Sequence, residues 1–233
     1  MVYDKESIDN LRKCPDFKES FELGREDDER TPNIWLPEET LPGFREFFNK
    51  FFEACYEIEL NLLRAIALGM GLPEKFFWEY HTKRDNQIRL LHYPPVEAEL
   101  LRNGSMERIA AHTDFGTMTL LFQDEVGGLE VEDIHEKGKF NPAPYIPGTI
   151  VVNIGDFLQR WSNDTLKSTL HRVRAPPLVQ GITKARFSIP YFVTADREKT
   201  IDCIPGCASE ANPRRYEPIN SREYIEMRLN ATY

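Results

Sequence analysis

Residues 111–115 read Ala111-His112-Thr113-Asp114-Phe115, and the rest of the chain can be interpreted outward from them. In an extended strand successive side chains alternate faces, so residues two apart point the same way. His112 and Asp114 then lean toward one point while Thr113 faces away, making a two-toothed metal clamp. A third ligand has to come from elsewhere. His171, in Ser168-Thr169-Leu170-His171-Arg172-Val173, lies 57 residues after the aspartate on another β-rich stretch.

Two imidazoles and one carboxylate on one face of a metal leave positions open for reactants, which is the donor set of non-haem Fe(II) oxygenases. An isolated H-x-D can arise by chance on any strand. A further pair at strand spacing, Arg186-Phe187-Ser188, follows His171 by 15 residues. Arg186 and Ser188 share a face there and offer a guanidinium fork and a hydroxyl to one end of a small dicarboxylate. A mononuclear zinc hydrolase also uses two histidines and an aspartate, but that reading gives Arg186 and Ser188 nothing to do.

The runs AHTDFGTMTLLFQDEVGGLEV, VVNIGDFLQRWSNDTLKSTLHRV and ARFSIPYF resemble the 2-oxoglutarate/Fe(II)-dependent dioxygenase superfamily, in its isopenicillin N synthase-like branch, over residues 15–233. The resemblance implies a mainly β fold, a double-stranded β-helix or jelly roll with flanking helices. It implies that His112, Asp114 and His171 bind Fe(II), and that Arg186 and Ser188 hold the distal carboxylate of 2-oxoglutarate. Tyr93, before Pro94, matches a family tyrosine whose hydroxyl helps bind that co-substrate. Leu91 departs from the family pattern, standing where many relatives have asparagine, and the spacer Arg174 to Gly181 is longer than usual and reads as a hairpin loop. The implied reaction hydroxylates, desaturates or cyclises a small molecule with O2, as 2-oxoglutarate loses CO2 to become succinate. Specialised metabolism or nucleobase oxidation is the implied setting. Two alternatives stand beside it. One is an isopenicillin N synthase-like oxidase that does not use 2-oxoglutarate; the other is an inactive, truncated isoform acting as a binding module.

The chain has 233 residues, 41% of them apolar, and a net charge of −9. That length supports one domain with a real core. The acidic balance argues against nucleic-acid and anionic-membrane partners. No window approaches the ~18 consecutive apolar residues of a membrane span. The start Met1-Val2-Tyr3-Asp4-Lys5-Glu6 lacks the apolar region of a secretory signal. The expectation is therefore a cytoplasmic protein, a monomer or weak homodimer. The cysteines Cys14, Cys55, Cys203 and Cys207 are too few and too scattered for a disulfide framework, and Cys203-x-x-x-Cys207 has no second pair to complete a zinc site.

Three regions are expected within a single domain over 1–233: a loop and helical part at 1–85, a jelly-roll core with the metal site at 86–195, and a C-terminal helical tail at 196–233. The usual N-terminal region of the family is expected to be absent. The run Arg25 to Arg30 reads as a solvated loop. Pro42 at a first turn, then Phe44, Phe47, Phe48, Phe51, Phe52, Cys55, Ile58, Leu62 and Ile66, predicts a long amphipathic helix ending at Gly69 and packed on a sheet. A shorter helix follows over 73–81, with His81 at its polar, exposed end. From Gln87 the period changes to two, predicting strands at 87–93, 108–112, 117–123, 129–133, 149–154, 168–173 and 186–194. His92 reads as structural and His135 as solvent-exposed, while Asn153 and Asp156 read as turn hydrogen-bonders. Ser221 reads as an N-cap. Phe115, Leu120, Phe122 and Phe192 are the expected walls of a substrate pocket, and the family resemblance implies a C-terminal helix near its mouth.

Overall fold

In Gln87-Ile88-Arg89-Leu90-Leu91-His92-Tyr93 the apolar residues fall on both sides of the strand, and Ile88, Leu91 and Tyr93 are all buried. Such a strand needs packing on two faces, and the computed structural model, which describes residues 16–175 and 180–232, supplies both. β1 (Glu19–Gly24), β2 (Gln87–Tyr93), β4 (Met118–Gln123), β7 (Val151–Ile154) and β9 (Arg186–Val193) form a five-stranded sheet in the order β1-β2-β9-β4-β7. β3 (Ile109–His112), β5 (Leu129–Glu132), β6 (Phe140–Pro142) and β8 (His171–Val173) form a second sheet in the order β3-β8-β5-β6. Every strand pairing within these sheets is antiparallel. The sheets close on each other over Leu91, Tyr93, Leu129 and Val173, flanked by Ile109, Leu121 and Val151. This is the expected jelly roll.

Helix α1 (Phe44–Gly69) covers the other face of the larger sheet. Its buried residues, Phe48, Phe52, Cys55, Glu59, Leu63 and Ala67, recur at three and four, the spacing of one helical stripe. Phe52 meets Tyr191 edge-on at 5.4 Å, and Phe51 meets Phe122 at 5.0 Å. Burying each such ring contributes roughly 1.5–3 kcal/mol. The helix starts two residues after the proline: Gly43, at φ 78°, makes the turn that Pro42 only introduces.

Several expectations are corrected. Leu120 and Phe122 turn toward α1, because on β4 the alternation sends Thr119, Leu121 and Gln123 to the other face. They are core, not pocket. Over 73–81 only Trp78–Tyr80 is helical, as a 3-10 turn. His81 is 1% exposed, with Nδ1 on the Phe77 carbonyl (2.8 Å) and Nε2 on Thr117 Oγ1 (3.0 Å). Burial pushes its pKa down to about 4, so the ring is neutral at neutral pH. The run 25–30 is not merely solvated, since Asp28 is 5% exposed and pairs with Arg197. The C-terminal helix α4 (Ser221–Thr232) is capped by Asn220, whose Oδ1 accepts from the N–H groups of Arg222 and Glu223; the Ser221 hydroxyl donates to the Ala195 carbonyl.

Other features go beyond the sequence reading or agree with it. Short helices α2 (Ala98–Arg102) and α3 (Asp156–Trp161) were not anticipated, nor was the small pair β10 (Thr200–Ile201) and β11 (Ile219–Asn220). β1 lies in the stretch expected to be loop and helix; its Phe21 and Leu23 alternate toward the core and it pairs with β2 from Glu19↔His92 to Gly24↔Gln87. His92 stacks on Phe187 on the outer face, and His135 is exposed. Cys55, Cys203 and Cys207 are free thiols, whereas Cys14 and residues 176–179 of the expected hairpin loop lie outside the described residues.

Candidate active site

β3 and β8 pair so that His112 stands directly across from His171. The cross-strand register thus does what no local spacing can, joining residues far apart in the chain at a ring-centroid separation of 4.3 Å. Each Nδ1 faces the carbonyl of the residue two positions earlier, Ala110 at 2.8 Å and Thr169 at 3.1 Å. With Nδ1 donating, the Nε2 lone pair of each ring is left for a ligand. Both Nε2 atoms point at Asp114 Oδ1, at 3.8 Å for His112 and 3.7 Å for His171.

Asp114 is not itself on the strand, which ends at His112; it sits in the loop beyond. What aims it is a set of contacts from three other places. Its Oδ2 accepts from Thr119 Oγ1 (2.6 Å) and Asn153 Nδ2 (2.8 Å), leaving Oδ1 turned to the imidazoles. Its carbonyl accepts from the Asp156 N–H (2.8 Å) at the start of α3. Gly155 and Gly116 lie so close that a Cβ on Gly155 would collide with the Gly116 carbonyl, so glycine is required there by close approach rather than by backbone torsion. Asn153 is therefore a supporting group of the site, not a turn residue. Asp156 holds Thr113 Oγ1 at 2.9 Å and pairs with Arg228 of α4.

The electrostatics suit a cation. Burial pushes His112 down to about 4, with the neighbouring His171 adding to the effect. Burial alone would raise Asp114, but the two imidazoles and the Thr119 and Asn153 donors outweigh it and hold the carboxyl below its ordinary value. The site thus presents a neutral His112 and an ionised Asp114 at neutral pH. Three ligand atoms within 4.8 Å of one another, two imidazole nitrogens and one carboxylate oxygen, fit a divalent first-row metal.

The second predicted group assembles on the larger sheet. The register places Tyr93 opposite Arg186, and Ser188 opposite both Leu91 and Gln123. Arg186, Ser188 and Tyr93 are all at most 3% exposed. Arg186 Nη1 donates to Ser188 Oγ (3.0 Å), Nη2 reaches Gln123 Oε1 (3.3 Å), and the guanidinium lies 5.1 Å from the Tyr93 ring centroid. Leu91, the departure from the family pattern, packs between the sheets and also lines the cavity that the candidate groups share. One open cavity is lined by all six predicted groups together with Phe115 and Phe192. Ile225 and Leu229 of α4 line it too, which puts the C-terminal helix on its wall. Sequence reasoning missed Thr119 and Gln123 altogether, and gave Asn153 a turn role in place of its contact with Asp114. The first two carry a usable signal, being inward positions of the period-two run that contains Leu121.

A jelly roll with this donor set defines a class of mononuclear non-haem iron enzymes, and comparison with known proteins narrows it. The model of the 2OG-Fe(II) oxygenase superfamily matches residues 84–195. The chain is 44% identical over 221 residues to the proline hydroxylase buaE of Petromyces alliaceus, covering 94% of this chain and 69% of that one. It is 39% identical to the 2-oxoglutarate-dependent dioxygenase gloF of Glarea lozoyensis, covering 94% and 68%. Among solved structures, a full-length Neurospora crassa protein crystallised in complex with alpha-KG and thymine is 45% identical, with a TM-score of 0.89 over 100% of this chain and 71% of that one. The chain thus spans about seven tenths of the length of these relatives. It belongs to the 2OG-Fe(II) oxygenase superfamily, in keeping with the isopenicillin N synthase-like branch. It is an oxidoreductase using Fe(II), 2-oxoglutarate and O2. No helix among the described residues is long and apolar enough to cross a membrane.

Proposed function

We propose that His112, Asp114 and His171 hold the iron, that Arg186, Ser188 and Tyr93 hold the distal carboxylate of 2-oxoglutarate, and that the substrate oxidised is a compact ring-bearing small molecule. The observation that carries this reading is the shared cavity: two separate groups, one suited to a metal and one to a carboxylate, line the same space. In this reading residues 86–195 are the core that carries both groups.

When bound, iron and 2-oxoglutarate supply the oxidising power, with decarboxylation to succinate coupled to attack on an unactivated C–H bond. The chain supplies position, charge and dryness. The carbonyls of Ala110 and Thr169 keep both imidazoles in the tautomer that presents Nε2. Thr119 and Asn153 keep one carboxylate oxygen occupied and the other available. Arg186 neutralises the co-substrate's far end with a forked donor, and the Ser188 and Tyr93 hydroxyls add direction. Phe115 and Phe192 line the cavity as planar apolar walls, with the Arg89 guanidinium 5.4 Å from the Phe192 centroid. Aromatic faces with a nearby donor suit a small polar ring, and the Neurospora neighbour is seen with thymine while the Petromyces relative is named for proline.

The test is anaerobic titration of the purified chain with Fe(II) and then 2-oxoglutarate, following the visible charge-transfer band of the chelate. The band should form, vanish in Asp114→Ala, and require far more 2-oxoglutarate in Arg186→Ala. Succinate release is then measured with thymine and with L-proline as candidate substrates. A well-folded chain that gives no band would refute the co-substrate assignment and favour an oxidase that draws all its electrons from the substrate. A normal band with succinate release stimulated by neither ring would refute the substrate class.

A further inference from the structure

Arg108, immediately before β3, has no surface exposure at all. Its Nη2 donates to Thr183 Oγ1 (3.1 Å) and to the Lys184 carbonyl (2.7 Å), both neutral acceptors. Its Nε and Nη1 have no hydrogen-bond partner, and it makes no ion pair among the described residues. A fully buried guanidinium without a carboxylate is costly. Its neighbour makes the cost larger. The ring of Tyr93 has the Arg186 guanidinium 5.1 Å from its centroid and that of Arg108 at 5.9 Å. Burial, and next the like charge of Arg186, push the Arg108 pKa down. Arg186 too is 1% exposed and is without a carboxylate ion pair among the described residues, and its Nε is unsatisfied. Two buried cations thus lie beside one tyrosine, neither within ion-pair distance of a carboxylate among the described residues, and the Asp124 carboxylate attracts both only from further away.

We infer that Arg108 is a second cation of the carboxylate-binding end, a positioning residue that strengthens the hold on a dianionic co-substrate without touching it. This rests on the assignment of Arg186, Ser188 and Tyr93 to 2-oxoglutarate. Arg108 is not among the residues lining the cavity, so it acts through charge and through the Tyr93 ring. A dianion entering beside Arg186 relieves the repulsion between the two guanidiniums, and buried positive charge that Asp124 offsets only at a distance becomes binding energy for a ligand of the opposite sign.

The experiment compares two ligands in the full chain loaded anaerobically with Fe(II), using the charge-transfer band as readout. One is 2-oxoglutarate; the other is 2-oxopentanoate, which has the same keto-acid end and chain length but a methyl group in place of the distal carboxylate. Arg108→Met should weaken 2-oxoglutarate by about tenfold, the scale of one unit charge acting across several ångströms of protein interior. It should leave 2-oxopentanoate within about twofold, and Arg108→Lys should restore most of the 2-oxoglutarate affinity. If Arg108→Met does not fold, Arg108→Gln, uncharged but still a donor, carries the same expectation. Equal weakening of both ligands would mean a distorted pocket, and weakening of neither would mean no role; either result overturns the inference while the co-substrate assignment stands. A wild-type chain that gives no band with 2-oxoglutarate overturns both.

Discussion

Asn153 donates from Nδ2 to Asp114 Oδ2 at 2.8 Å, across 39 residues of chain, and with Thr119 it determines which oxygen of that carboxylate faces the two imidazoles. The pairing exists because β7 lies beside β4, with Asn153 directly opposite Thr119. Two neighbouring strands thus grip one side of the carboxylate.

Removing either donor should therefore loosen the metal without unfolding the chain. Asn153→Ala and Thr119→Val are each expected to weaken Fe(II) affinity by roughly 10–100-fold, the usual effect of losing a group that orients a ligand. Anaerobic metal titration with circular dichroism as a fold control would check this; affinity within twofold of wild type in both variants would be inconsistent with the role assigned.

Arg228 and Asp156 form a nearly buried ion pair, their side chains 7% and 12% exposed, tying α4 to the start of α3. The same carboxylate accepts from Thr113, in the middle of the H-x-D turn, and the Arg228 guanidinium lies 4.7 Å from the Phe115 ring centroid. Arg228→Met leaves Asp156 charged and without that cation, and is expected to cost about 3–5 kcal/mol. The double variant Arg228→Met/Asp156→Leu should recover part of that loss. A double-mutant cycle on thermal unfolding measures the coupling, and purely additive losses would show that the pair does not act as a unit.

Asp28 gives the fold an acid-side dependence. Burial would raise its pKa, but hydrogen bonds from Thr31 and the Arg30 N–H and the charge of Arg197 outweigh it and bring it down to about 2. A depressed carboxylate stabilises the folded state above its unfolded pKa, near 3.9, and loses that contribution as pH falls toward the folded value. Asp28→Asn should be less stable than wild type at pH 6, with the gap closing between about pH 4 and pH 2. Denaturant midpoints across that range test it, and a gap independent of pH would refute it.

Glu59 carries the opposite sign. It is fully buried on the inner face of α1, Oε2 accepting from Asn86 Nδ2 (2.6 Å) and from the Tyr191 hydroxyl (3.1 Å), and burial raises its pKa well above the ordinary carboxyl value. The folded chain keeps a proton that the unfolded chain releases above about pH 4.3, so stability declines as pH rises from there toward the folded pKa. Glu59→Gln is uncharged at every pH and should match or exceed wild-type stability at pH 8, with a flatter profile between pH 5 and 8. Chemical denaturation at several pH values would reveal it. A variant that loses stability equally at all pH values would show that the side chain stays ionised in the fold.

The residues proposed to carry the chemistry are legible in the chain because their constraints are local. His112 and Asp114, and Arg186 and Ser188, each need only a spacing of two, and the residue types themselves name a metal and a carboxylate. Strand periodicity likewise marks 87–93 and 186–194 within a residue, and the phenylalanine stripe marks α1. Tertiary structure decides what depends on partners distant in sequence. Whether Leu120 is pocket or core depends on which face of β4 meets α1; whether His81 is exposed depends on Thr117 arriving beside it; whether Asn153 serves a turn or a ligand depends on strand register. Arg108 is simply one more arginine in the sequence, and only burial without a carboxylate partner gives it significance. Alternation along a strand fixes the direction of a side chain relative to its neighbours, but what that side chain meets is set by the pairing and packing of strands far apart in the chain.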